Sequence, residues 1–230
     1  DNSGFSVSMN AAGNRVAIGA KFNEGNGSNA GHVRIYAWSG TTWTQQGQDI
    51  DGEAESDYFG RVSISDNGLR LAVGAYNNDG NGDNAGHVRV YEWSGTDWVQ
   101  LGLDIDGEAA EDNSGSVSMN ATGDRLAIGA NRNDGNGNNA GHVRIFEHIG
   151  GSWTQIGQDI DGEAADDQSG FSVSLSSDGS KVAIGANYND GNGNQAGHVR
   201  IFGAPSLACP KPLNITIAQG TILGDTTVIS

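Results

Sequence analysis

Large and small residues alternate through a six-residue run that occurs four times: RVAIGA from Arg15, RLAVGA from Arg70, RLAIGA from Arg125 and KVAIGA from Lys181. Successive strand residues point to opposite faces, so Val16 and Ile18 share one face while Ala17 and Gly19 share the other. A face built only of small residues suits close stacking on a neighbour. Around this run three more strands are predicted in the first unit. GFSVSM (Gly4 to Met9) precedes it across a tight AAGN turn, which SDNG, ATGD and SSDG replace in the other units. Such Asn/Asp/Gly pairs tolerate positive φ and suit hairpins. GHVRIYAW (Gly31 to Trp38) follows, then an SGTT turn, then WTQQGQDI (Trp43 to Ile50). No stretch keeps an apolar stripe at helical spacing, so helices are not expected.

The pattern repeats about every 55 residues, as GHVRIY, GHVRVY and two copies of GHVRIF show from Gly31, Gly86, Gly141 and Gly197. Four antiparallel strands per unit at a fixed period are the plan of a β-propeller blade, so the predicted class is all-β. The units fall at about 1–56, 57–111, 112–166 and 167–203. Four repeats fit a closed four-bladed ring, part of a larger ring, or blades completed by another chain. The fourth unit lacks a WTQ strand. Its place is taken by residues 204–230, which hold all three prolines and read as a linker; LNITIA within them is a candidate outer strand or the start of another domain. The chain opens on Asp1 inside a repeat, without an initiator Met or signal peptide, and reads as a processed or partial piece.

Composition narrows the partners. The formal net charge of −16 repels phosphate backbones, so nucleic acid is not an expected partner. The single cysteine, Cys209, excludes a disulfide within the chain. No apolar run approaches the roughly 20 residues of a membrane-spanning helix.

DYFGRVSIS, LAVGAYNNDG and AGHVRVYEW together resemble the FG-GAP repeat, the blade unit of integrin alpha-subunit propellers. SGTTWTQQG and DGEAA-x-D-x-SG are similar to runs in bacterial and algal surface proteins of that type. The likeness spans Asp1 to about Phe202. The Phe-Gly pair itself is intact only at Phe59-Gly60, and Ser-Gly stands elsewhere. Integrin blades place a calcium loop between the first and second strands. Here that link is a short hairpin, so the family's calcium site does not carry over.

Other calcium candidates come from the residues. In NNDGNGDNAGHVRVY, Asp79, Asn81 and Asp83 alternate, as do Asp134, Asn136 and Asn138, and Asp190, Asn192 and Asn194. Calcium takes 6–8 oxygen ligands, and the bidentate Glu that closes an EF-hand loop is missing. A structured strand connection explains the same residues. In DIDGEA, Asp104, Asp106 and Glu108 (with Asp49/Asp51/Glu53 and Asp159/Asp161/Glu163) offer a calcium set at the rim between blades, or a solvated acidic turn. His32, His87, His142 and His198 occupy equivalent points on different blades, too far apart for one zinc site, so a repeated packing role is expected. Trp38 and Trp93 flank the third turn, where indoles either stack on sugars or cover the blade's outer edge. No catalytic set stands out.

The resemblance implies a non-catalytic module at the cell surface or outside the cell. It would serve as an adhesion or protein-interaction scaffold, stabilised by calcium, with a protein or glycan ligand and self-association through blade edges. A lectin using the rim tryptophans, and a non-catalytic part of a larger secreted enzyme, are the alternatives.

Overall fold

The computed structural model describes residues 1–205 and the backbone of 214–217. The predicted alternation becomes four antiparallel sheets. The first contains β1 (Ser6–Met9), β2 (Arg15–Ala20), β3 (His32–Trp38), β4 (Trp43–Gln45) and β5 (Ile50–Asp51). They pair in the order β1-β2-β3-β4, with β5 also on β3. The second sheet repeats this with Arg61–Ile64, Arg70–Ala75, His87–Trp93, Trp98–Gln100 and Ile105–Asp106. The third uses Ser114–Met119, Arg125–Ala130, His142–Ile149, Ser152–Gln155 and Ile160–Asp161. In the fourth, Ser169–Leu175, Lys181–Ala186 and His198–Gly203 are joined by Asn214–Ile217, which pairs with His198–Gly203 as the missing outer strand. The NITI part of the LNITIA candidate therefore completes a blade as an outer strand. Cys209, Pro210 and Pro212, and with them most of the expected linker, lie outside the described residues.

One expectation needs correction. The fourth strand is not continuous from Trp43 to Ile50. Gly47 adopts φ +77°, and Gly102 and Gly157 adopt +83° and +73° at the same point. A left-handed glycine turns the chain out of the ladder, so two short segments pair in turn with β3.

The sheets stack face to face in chain order, first on second, second on third, third on fourth. The small face of β2 makes this possible. A Cβ on Gly19 would lie 1.9 Å from the Gly60 carbonyl oxygen of the next blade; at Gly74 it would meet that of Gly115 at 1.9 Å, and at Gly129 that of Gly170 at 2.1 Å. The opposite, large face fills the space behind. Leu71, Val73 and Tyr91 of the second blade pack on Ala17, Val33 and Ile35 of the first, with Phe59 sealing the joint. Each fully buried aliphatic or aromatic side chain contributes about 1.5–3 kcal/mol. The same packing recurs at the next two joints.

Both ends of the stack are open. Val7 is 63% exposed, and Met9 and Trp43 are also exposed, whereas Ile64 and Trp98 at the corresponding points of the second blade are buried. At the far end Val199 is 44% exposed, while its counterparts Val33, Val88 and Val143 are fully buried. These open faces describe an arc of blades rather than a ring closed by four.

The tryptophans finish the outer edge. The Trp98 indole N–H donates to the Gln46 carbonyl of the preceding blade at 3.0 Å, and Trp153 donates to Leu101 at 2.9 Å. Among the described residues no blade packs against Trp43 from the other side, and it is 42% exposed. Trp98→Phe is therefore expected to cost about 1 kcal/mol in urea unfolding through the lost hydrogen bond, and Trp43→Phe close to nothing.

Candidate functional site

The residues expected to carry chemistry divide between the joints of the arc and its axis. At each joint, the strand that opens with Gly-His-Val-Arg brings its His and Arg against acids from two blades. Arg89 donates to Asp104 through Nε at 3.0 Å and Nη2 at 2.9 Å, and it also pairs with Glu53 of the preceding blade. His87, fully buried, sits with Nδ1 3.8 Å from Asp104 and 3.9 Å from Glu53. His142 stands in the same way between Asp159 and Glu108, Arg144 pairs with Glu108 alone, and His198 and Arg200 meet Glu163. In the first blade Arg34 holds Asp49 in a fork of 2.8–3.0 Å bonds.

These latches answer two of the sequence-based expectations. The histidines lie on separate blades as buried joint residues. Asp104, Asp106 and Glu108 do not converge on one ion: Asp104 closes the joint before it, Glu108 the joint after it, and the Asp106 carbonyl accepts from Arg144 at 2.6 Å. Two acid–histidine clusters, Glu53/His87/Asp104 and Glu108/His142/Asp159, have ligand atoms within 4.8 Å of one another. Arg89 already pairs with both carboxylates of the first set, and Arg144 pairs with Glu108 of the second. The arginines were not legible as partners, because the Glu they meet lies in the previous repeat.

The Asn/Gly loops are braced internally. Asp79 accepts the Asn84 backbone N–H at 2.7 Å, and Asp134 accepts that of Asn139 at 2.8 Å; Asp190 does the same for Gln195. Asn81 donates its side-chain amide to the Gly107 carbonyl at 2.7 Å, and Asn136 to Gly162 at 2.7 Å. Asn78, buried beneath, donates to Asp57, in the turn that opens its own repeat, at 3.1 Å. Asp83 is exposed. Asn192 belongs to the fourth blade, whose loop lacks a following DGEA turn. Donors aimed at carbonyls and carboxylates held by N–H groups make a strut between loops, a poor match to a cage of oxygens. Trp38 and Trp93 each lie against the next tryptophan in their own blade, 5.5 Å between ring centroids, as edge packing.

The second set of residues is one the sequence did not single out. The chain leaving β2 and its three counterparts runs to a common mouth, where all four blades line a cavity of about 380 Å³. The residue just past each such strand is Lys21 in the first blade, Tyr76 in the second and Asn in the last two, Asn131 and Asn187. The next differs in every blade: Phe22, Asn77, Arg132, Tyr188. Flanking positions are identical, Ala before and Asn after, in all four. Tyr58, Asn113 and Gln168 enter the mouth region from left-handed backbone, with φ of +55°, +52° and +54°. Lys21 Nζ lies 4.1 Å from the Phe5 ring centroid and 3.3 Å from the Tyr76 hydroxyl. The Arg61 guanidinium sits between the rings of Tyr76, Phe5 and Phe171, at 5.5, 5.8 and 5.9 Å. Its Nε is buried without an acceptor, and burial pushes its pKa below the ordinary arginine value.

The FG-GAP repeat family matches residues 43–91 and 160–202. No protein of curated function matches the chain. Among solved structures, the β-propeller domain of the Trilobed protease from Pyrococcus furiosus, described as having an open velcro topology, superposes with a TM-score of 0.54 at 11% identity, over 94% of this chain and 58% of that one. TolB from Acinetobacter baumannii gives 0.50 at 14% identity, over 92% and 43%. Acylaminoacyl peptidase from Pyrococcus horikoshii gives 0.51 at 13% identity, over 93% and 32%. The chain spans less than two thirds of each of these structures. The likeness shows the fold: the sheets are blades of a β-propeller.

The latches carry a pH dependence. Burial, reinforced by Arg89, pushes His87 below its ordinary value, and burial with Arg144 does the same to His142. As pH falls below about 6.5 the unfolded histidines take up protons before the folded ones, so stability present at neutral pH is lost. The urea midpoint is expected to fall between pH 7 and 5, with a smaller fall in His87→Gln. An equal slope in both proteins would remove the histidine from the account.

Proposed function

We propose that this chain, a member of the FG-GAP repeat family, is a non-catalytic binding module of an extracellular or cell-surface protein. Its joints form a rigid scaffold and its axial mouth is the contact surface. The observation that carries this reading is the division of labour among repeat positions. Glycines, latch residues and loop struts recur from blade to blade because each joint poses the same packing problem. The positions that vary converge on one cavity, where stacking makes no common demand. A scaffold that holds several loops in fixed relation suits recognition, since pre-organised side chains lose little entropy on binding.

The family likeness favours a surface location, and the acidic charge disfavours nucleic acid. The reading needs no calcium, because hydrogen bonds and guanidinium pairs already engage Asp79, Asp104, Glu108, Asp134 and Asp190 among the candidates for it.

Tyr76→Asn tests the proposal. Asn stands at this position in the third and fourth blades, so the fold tolerates it. On an array of cell-surface glycans and extracellular matrix proteins, the wild-type chain is expected to bind and Tyr76→Asn to lose at least about tenfold in affinity, or roughly 1.4 kcal/mol, with an unchanged melting temperature. Binding and melting are both expected to persist in EDTA. A Tyr76→Asn protein that binds like wild type moves the contact surface away from the mouth, and a large drop in melting temperature in EDTA restores calcium to the scaffold.

A further inference from the structure

We propose that the axial mouth binds an acidic saccharide, a sugar unit bearing a carboxylate of the hexuronate kind. This rests on the reading of the mouth as the module's contact surface and names its ligand class.

The first argument is charge. The chain has 28 acids against 12 lysines and arginines. Arg34, Arg70, Arg89, Arg125, Arg144 and Arg200 all pair with carboxylates. Lys21, Arg61 and Arg132 line one cavity, and among the described residues none of them pairs with an acid. Arg15 and Lys181 also pair with no acid among the described residues, but they stand singly on different blades, whereas gathering three such cations in one cavity of so acidic a protein requires a reason. Nor does packing demand Arg61. Its register partner on the Arg70–Ala75 strand is Gly74, and Ser6, Ser116 and Ser172 stand opposite the matching glycines in the other blades. The surrounding rings attract the guanidinium face, but its N–H groups lie in the plane and need acceptors. A carboxylate supplies two oxygens in the matching fork geometry.

The second argument is the rest of the lining. Phe5, Tyr76, Phe171 and Tyr188 present ring surface beside the cations. Aromatic faces stack on the C–H faces of a sugar ring. Asn113, Asn131, Gln168 and Asn187 add amides that both donate and accept, as hydroxyl groups require. The volume of about 380 Å³ is at the small end of ligand sites, suited to one or two sugar rings. A bare inorganic anion would use the cations and leave the rings and amides idle.

Isothermal titration calorimetry of the whole chain with digalacturonate, a neutral digalactoside, acetate and an Asp-Glu dipeptide tests the proposal. Digalacturonate is expected to bind, more tightly than the other three, and more weakly as salt is raised. Arg61→Ser is expected to weaken it about tenfold or more without changing the melting temperature, as the loss of a charge-assisted contact predicts. Lys21→Asn provides the same readout from another blade. Equal binding of the neutral sugar, or of acetate, overturns the proposal, as does tighter binding of the dipeptide. Absence of digalacturonate binding, or binding unaffected by both variants, also overturns it. If array binding by the wild type is still lost in Tyr76→Asn, those failures remove the acidic saccharide and leave the binding module standing.

Discussion

Backbone must meet backbone between blades, and everything else in the structure follows from that contact. At Gly19, Gly74 and Gly129 there is no room for even a methyl group, because the next blade's carbonyl occupies the place a Cβ would take. This approach fixes the distance between sheets near the axis. The bulky faces are then free to interleave further out, where Leu71, Val73 and Tyr91 meet Val33 and Ile35. Narrow contact inside and wide packing outside produce a wedge, and repeated wedges turn the stack into an arc.

Polar chemistry is subordinate to this geometry. Taking His87 and Arg89 out of water at a joint is costly unless their partners come with them. Those partners arrive from both blades at once, Asp104 from one side and Glu53 from the other. Burial alone would raise the Asp104 carboxyl; the hydrogen bonds from Arg89 and their charge outweigh it and hold the group below its ordinary value. The latch therefore forms only when the sheets are already at the right spacing. It adds specificity to a joint whose driving force is apolar burial. The axial mouth is what the same geometry leaves over, a place where four loop ends meet without a shared packing task.

Much of the fold was legible in the sequence because it depends on local periodicity. Alternation in RVAIGA gave the strand and its small face, and the copies gave the blade. The break in the outer strand was not legible, because WTQQGQDI looks extended throughout, while Gly47 acts through a positive φ that composition does not reveal. The site was less legible for a different reason. DIDGEA looked like one acidic set, yet its acids serve two joints, and a contact between Glu53 and Arg89 crosses a repeat boundary. Lys21, Arg61 and Arg132 share no motif, and only the arrangement of blades around an axis brings them together. A comparison of equivalent repeat positions is the sequence signal that could have found them.

The RVAIGA glycines serve the joint rather than the strand. Gly129 and Gly185 hold the same place in consecutive blades, but a Cβ at Gly129 meets the backbone of Gly170, whereas at Gly185 the nearest atom is the Ser172 hydroxyl, the end of a side chain in its own blade. Urea unfolding of Gly129→Ala and Gly185→Ala separates the two roles. Gly129→Ala is expected to cost about 3 kcal/mol or more, and Gly185→Ala less than half of that. Equal losses would mean that the small face is a property of the strand alone, and the stacking account would fail.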